Sequence, residues 1–252
     1  MKLKKILLVI IALSASTAIY AGGDNNKCSN SVNIAGVKWY HISAEKRALY
    51  YQAFDVAAKK ITDEVKKNHL KKDTWGIVLD IDETTLDNSW NEYDNYKHYK
   101  YSDKNFNDAA NKEKSVATPG SKKFLDYIHK LGGYVSLVTN RTGSDKKVYK
   151  ATIENLKKEK LYYDQVIFKN TTIKNGNDKN PRFNAVITGE YNKNMIYTNK
   201  IPAHKVIAYF GDNIQDFPKL TQKNMQNADA GAYEEFGEKY FILPNPMYGS
   251  WQ

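Results

Sequence analysis

Cysteine is almost absent: Cys28 is the single one in 252 residues, so no disulfide can close within the chain. The five histidines, His41, His69, His98, His129 and His204, are scattered without the spacing of a metal site, which disfavours histidine-phosphatase chemistry. No glycine-rich phosphate loop of the nucleotide-hydrolase type occurs, and there is no internal repeat or low-complexity tract. No basic cluster accompanied by a stacking motif occurs either. The net charge of +10 therefore reads as a lysine- and asparagine-rich solvated surface that favours small anions, with no nucleic-acid polymer as partner. A long apolar run is missing too. Residues 6–13 are too short to span a bilayer and soon give way to Ser, Thr and Gly22-Gly23-Asp24, so no stable membrane anchor is expected.

With Lys2, Lys4 and Lys5 ahead of it and small residues up to Ala21 behind, that run reads as a signal peptide over residues 1–21, cleaved after Ala18 or Ala21. The protein is then exported, to the periplasm or beyond, with its charge lowered from +10 to +7 by loss of the three lysines. Cys28 lies beyond the polar stretch 22–27, away from the cleavage point where a lipid would be attached.

What is present is enough apolar content, 41% with 13% aromatic, for one good core. A polar segment over 22–36 precedes one domain over 37–252. Ser43 caps a helix whose Tyr50, Phe54, Ala57, Ile61 and Val65 recur at spacings of three and four. Residues 75–80 then read as a buried strand. Residues 87–118 are rich in Asn, Tyr and Lys with little periodicity, as in a cap insertion or long functional loop. Beyond Pro119-Gly120, helices to about 131, over 144–158 and from Pro181 alternate with strands over 133–139, 165–169, 204–212 and 240–243. Such alternation predicts an α/β fold, a doubly wound parallel sheet flanked by helices, with ligands at the carboxyl ends of its strands.

Asp80-Ile81-Asp82-Glu83-Thr84 stands where the first strand ends. One carboxylate of such a pair can bind a cation and attack phosphorus, while the other passes a proton to the leaving oxygen. Alone, an acidic pair after a strand also serves to cap a helix. A second acidic group, Gly211-Asp212-Asn213-Ile214-Gln215-Asp216, follows the strand over 204–212. Acids converging from both would repel one another without a hard cation, for which Mg²⁺ is the choice. Thr139-Asn140-Arg141 ends a third strand, with Thr139 as the phosphate donor.

Residues 78–89, Val-Leu-Asp-Ile-Asp-Glu-Thr-Thr-Leu-Asp-Asn-Ser, together with Tyr209-Phe210-Gly211-Asp212-Asn213-Ile214-Gln215-Asp216-Phe217, resemble the class C bacterial acid phosphatases. That family includes outer-membrane lipoprotein acid phosphatases and 5′-nucleotidases, and belongs to the haloacid-dehalogenase (HAD) superfamily. The likeness runs from about Tyr40 to Trp251. It implies a HAD-like Rossmannoid sheet with a small, mainly helical cap from about 37–70 and 87–118. It implies Asp80 as nucleophile, Asp82 as general acid and base, Asp80, Asp212 and the Asp82 carbonyl as Mg²⁺ ligands, and Asn213 and Asp216 supporting them from behind. The family's phosphate-binding lysine lies in a Lys-x-x-Arg-Phe context, here Lys179-Asn180-Pro181-Arg182-Phe183, with Lys169 and Lys174 nearby as rivals. Phe106 and Tyr248 match aromatic residues that grip a nucleoside, with Asn140 beside them and Trp90 as a further candidate. The expected reaction is hydrolysis of phosphomonoesters, 5′-nucleotides or nicotinamide mononucleotide among them, through an aspartyl-phosphate. A homodimer is a family expectation only.

Two rivals use the same residues differently. A phosphate-binding or storage protein would not need Asp80, and a phosphorylated signalling domain suits neither export nor an internal acid at Asp82.

Overall fold

The computed structural model describes residues 33–95 and 102–252. The leader, Cys28 and His98 lie outside the described residues. The chain begins with α1 (Ile34–Ile42) and α2 (Ala44–Lys67), divided at Ser43, whose hydroxyl caps α2 by accepting from Lys46 N at 3.1 Å. The first strand, β1 (Trp75–Leu79), is buried along its whole length. An excursion follows: β2 (Leu86–Asp87), α3 (Ser89–Asn95), α4 (Asp103–Ala110) and β3 (Val116–Ala117). The chain then alternates through α5 (Ser121–Leu131), β4 (Tyr134–Thr142), α6 (Lys146–Lys158), β5 (Gln165–Lys169) and α7 (Asn180–Thr188). Last come β6 (Ile196–Tyr197), β7 (Lys205–Gly211), a 3₁₀ turn Ile214–Asp216, α8 (Gln222–Met225), a second 3₁₀ turn Ala230–Tyr233 and β8 (Tyr240–Ile242).

The main sheet runs β6-β5-β4-β1-β7-β8, parallel except for the antiparallel edge strand β6. Period-two alternation divides its side chains between two cores. Ile77 and Leu79 join Phe54 and Ile61 of α2, Leu125 and Ile128 of α5 and Leu156 of α6. Val78 faces the other way with Val138, Ile167 and Tyr209, under Phe183 and Val186 of α7. Each large apolar side chain buried this way contributes roughly 1.5–3 kcal/mol, which is what holds a chain that cannot form an internal disulfide.

The sequence calls for the main helices and parallel strands of the body within a few residues of those observed, but not for α1, which begins inside the expected polar segment 22–36, nor for the antiparallel edge strand β6, which departs from the all-parallel sheet expected. A further difference lies in the cap. Its base is the antiparallel pair β2–β3, Leu86 opposite Ala117 and Asp87 opposite Val116, with α3 and α4 carried between them. Of the amino-terminal stretch expected in the cap, α1 packs on α3, but α2 packs on α5, β7 and β8 and is part of the body. The reason is visible in α2 itself, where Tyr50, Phe54, Ala57 and Ile61 form one buried stripe. Lys46, on the same helix, forms a buried ion pair with Asp87 and so ties the body to the base of the cap.

Candidate active site

Strand order reverses beside β1, which has β4 and then β5 on one side and β7 and then β8 on the other. A crevice opens at such a point, outside the carboxyl ends of the strands. Asp80 extends β1 by one residue, its N–H donating to Phe210 O at 3.0 Å. The chain then turns sharply. Ile81 O accepts from Thr85 N and Leu86 N, both at 2.8 Å, and Glu83 takes the left-handed φ of 52° that is uncommon for residues other than glycine. The Glu83 side chain is buried and accepts from Asn88 N at 2.7 Å, while its carbonyl accepts from the buried Tyr50 hydroxyl. This turn sends Asp80 and Asp82 to different surroundings.

Asp80 lies among acids. Asp212 follows β7, and the next turn is closed by a capping box in which Asp216 Oδ2 accepts from Asn213 N at 2.9 Å. Gly211 allows this return, since a Cβ there would come 2.3 Å from Asp216 Oδ2. Ligand atoms of Asp80, Asp212 and Asp216 fall within 4.8 Å of one another. Asp216, expected behind the ligands, stands as near the ion position as they do, with Oδ1 accepting from Lys179 and Oδ2 from Asn213 N. Lys179, the residue that caps α7, reaches into this group and donates to Asp80 Oδ1 at 2.5 Å and Asp216 Oδ1 at 2.6 Å. Asp212 is held by Thr84 Oγ1 at 3.3 Å and by Asn245 Nδ2 at 2.8 Å.

Burial pushes the Asp80 carboxyl up to about 7, against the pull of Lys179 and with help from Asp216 and Asp82. Asp212 also rises well above the carboxylate range, through burial and the charges of Asp216 and Asp80. Burial draws the Lys179 ammonium down, but Asp216 and Asp80 outweigh it and hold its pKa above the ordinary value. Three carboxylates against one ammonium leave a surplus of buried negative charge, and every donor is oxygen. Both features fit a hard divalent cation.

Asp82 has different company. Its Oδ1 accepts from Arg141 Nε at 2.9 Å, Arg141 Nη2 at 2.8 Å and Asn88 Nδ2 at 2.8 Å. Its carboxylate is thus set apart from the Asp80, Asp212 and Asp216 group, although its side chain, like that of Asp80, faces the cleft.

The cleft has a volume of about 850 Å³, and among its lining residues are Asn140, Asn213, Phe106 and Tyr248. Thr139, expected as a phosphate donor, is not among the lining residues: it is fully buried, and its Oγ1 accepts from Arg141 N at 3.0 Å. Lys169 also lines the cleft, but Lys179 is the lysine bonded to Asp80. Pro181 does not oppose this placement, because it falls in the first turn of α7, where a missing N–H costs nothing. Trp90 lies on α3 under the ammonium groups of Lys112 and Lys114, 5.5 and 5.3 Å from its ring centre, and does not line the cleft.

Sequence reasoning missed two arginines. Arg141 was read only as the end of a strand motif, yet it holds Asp82. Arg182 was read as the context of Lys179. It is buried, with its pKa lowered to about 10 by burial, and it donates to Thr139 O, Asn140 Oδ1 at 2.6 Å and Asn177 O at 3.0 Å. The available signal was an arginine at the border of an apolar stretch in each case, Arg141 after a strand and Arg182 before the apolar face of a helix, where a charge must find a partner.

Comparison with known proteins gives a concordant result. Residues 12–251 match the family described as HAD superfamily, subfamily IIIB (acid phosphatase). The chain is similar to the class C acid phosphatase from Bacillus anthracis, at 29% identity and a TM-score of 0.71, over 86% of this chain and 85% of that one. The same Bacillus anthracis enzyme with tungstate bound matches at 29% identity and a TM-score of 0.72, with the same coverage.

Proposed function

Because the chain belongs to the acid phosphatases of HAD superfamily subfamily IIIB, and is thus a phosphomonoesterase, we propose that it cleaves its substrates at Asp80 with Mg²⁺ as cofactor. The observation that carries this reading is the meeting of Asp80, Asp212, Asp216 and Lys179 at the switch point of the sheet, with Asp82 held apart by Arg141.

In this mechanism an Asp80 oxygen forms a bond to phosphorus as the bond to the leaving oxygen breaks, and Asp82 gives that oxygen a proton. Asp82, now a carboxylate, takes a proton from water as the water attacks phosphorus and frees Asp80. Lys179 neutralises the nucleophile and the phosphoryl oxygens near it. Asp80, Asp212, Asp216 and the Asp82 carbonyl would hold Mg²⁺, which when bound supplies positive charge against the phosphoryl oxygens. Tungstate, held by the Bacillus anthracis enzyme, is an oxyanion shaped like phosphate.

Phe106 and Tyr248 lining one cleft with Asn140 support a substrate with a flat base, a 5′-nucleotide or nicotinamide mononucleotide. The pattern of the first 21 residues supports export. The test is phosphate release from a chromogenic monoester, 5′- and 3′-nucleotides and nicotinamide mononucleotide, with Mg²⁺ and then with excess EDTA. Hydrolysis removed by EDTA, restored by Mg²⁺ and fastest on 5′-nucleotides or nicotinamide mononucleotide is expected. EDTA-resistant turnover would sink the metal reading, and indifference to the base would sink the substrate reading.

A further inference from the structure

Arg141 has no exposed surface, and four hydrogen bonds leave its guanidinium. Two end on the same oxygen, Asp82 Oδ1. The others go to Asn88 Oδ1 at 3.1 Å and to Thr152 Oγ1 on α6 at 3.2 Å. Asn88 in turn donates a third bond to Asp82 Oδ1 and accepts from Ser115 Oγ at the base of the cap. A buried guanidinium is tolerated only when it is paired, and here the pairing is spent on one oxygen of one carboxyl group.

We propose that Arg141 is the positioning residue of the general acid. With Asn88 it occupies Oδ1, fixes the direction of the Asp82 carboxyl and reserves Oδ2 for the proton. When the bond from phosphorus to the leaving oxygen breaks, its electron pair stays on that oxygen. The proton moves there from Oδ2, and the new carboxylate charge lies against the guanidinium already in place. The inference rests on the reading of Asp82 as the acid. A merely structural arginine, pinning α6 to the cap, would have the same contacts but no effect tied to the leaving group.

The test compares kcat/KM on 2,4-dinitrophenyl, phenyl and alkyl phosphates, whose leaving groups need progressively more help from an acid. A loss of about 10–100-fold on phenyl and alkyl phosphates, with less than about threefold on the dinitrophenyl ester, is expected for Arg141→Lys, and a steeper version of the same pattern for Asp82→Asn. If Asp82→Asn loses activity equally on all three esters, the acid reading fails and this inference with it. If Asp82→Asn discriminates but Arg141→Lys loses activity uniformly, or not at all, the inference alone is overturned. Thermal melting shows whether each variant folds. Should Arg141→Lys not fold, Thr152→Val, which removes the anchor of Nη1 together with the Thr152 hydroxyl's own bond to Val148 O, takes its place. A smaller loss confined to poor leaving groups would support the assignment, and a uniform or absent loss would overturn it.

Discussion

Two carboxylates two residues apart on one turn, Asp80 and Asp82, have been given opposite surroundings. Asp80 shares a lysine with Asp216 and faces Asp212, so in its neighbourhood one ammonium stands against three carboxylates. Asp82 is met by a guanidinium and an amide on a single oxygen. Sequence spacing alone cannot assign separate roles to them. The assignment comes from which element supplies the partner: the loop before α7 and the turn after β7 for Asp80, the end of β4 and the base of the cap for Asp82. That division suits the proposed roles, a nucleophile near a cation site and an acid kept apart from it.

The sharpest way to break the comparison is to remove its first member. For Asp80→Asn we expect phosphate release to fall by about 10⁴-fold or more, with a normal melting transition, as is common when a covalent nucleophile is removed. Ordinary turnover of a chromogenic phosphate by that variant would refute the role. Next in size is Lys179→Met, which leaves buried acids without their ammonium. Activity should fall about 100- to 1000-fold through the lost charge on the phosphoryl oxygens. The metal-free protein should also lose about 3–5 kcal/mol in urea unfolding, the typical result of breaking a buried pair from one side. An unchanged unfolding midpoint would show that Asp80 and Asp216 are satisfied by other means.

The body of this molecule was legible because its signals are local. The buried apolar run at 75–80, the serine before α2 and the Pro119-Gly120 pair before α5 each act within a few residues, and each was read correctly. The acidic motifs were legible for the same reason, being short runs at strand ends. The arginines were not, because their meaning depends on partners far along the chain: Arg141 meets Asp82 across 59 residues, and Arg182 meets Thr139 across 43. The share of α2 between cap and body was misjudged likewise, since only the sheet's surface decides which stripe of a helix is buried.

The smallest expected effect tests whether the surplus negative charge around Asp80 is real. In the folded protein Asp80 titrates near 7, and Asp212 and the buried Glu83 are also raised, whereas in the unfolded chain all three release their protons in the ordinary carboxylate range. Between those limits the folded state holds more protons than the unfolded one. Stability is then present at low pH and is lost as pH rises through about 7. Lys179 does not oppose this trend, because its own pKa is raised and it stays charged throughout. In EDTA the melting temperature should therefore fall between pH 5 and pH 8, by about 2–4 °C for each kcal/mol lost in a domain of this size. Saturating Mg²⁺ should raise it more at pH 8, where the carboxylates are ionised and ready to bind, than at pH 5. Asp80→Asn should flatten the slope only in part, since Asp212 and Glu83 still titrate. A metal-free protein that melts higher at pH 8 than at pH 5 would mean that the cluster is neutralised from within, and that the difference between the two carboxylates is one of geometry and not of charge.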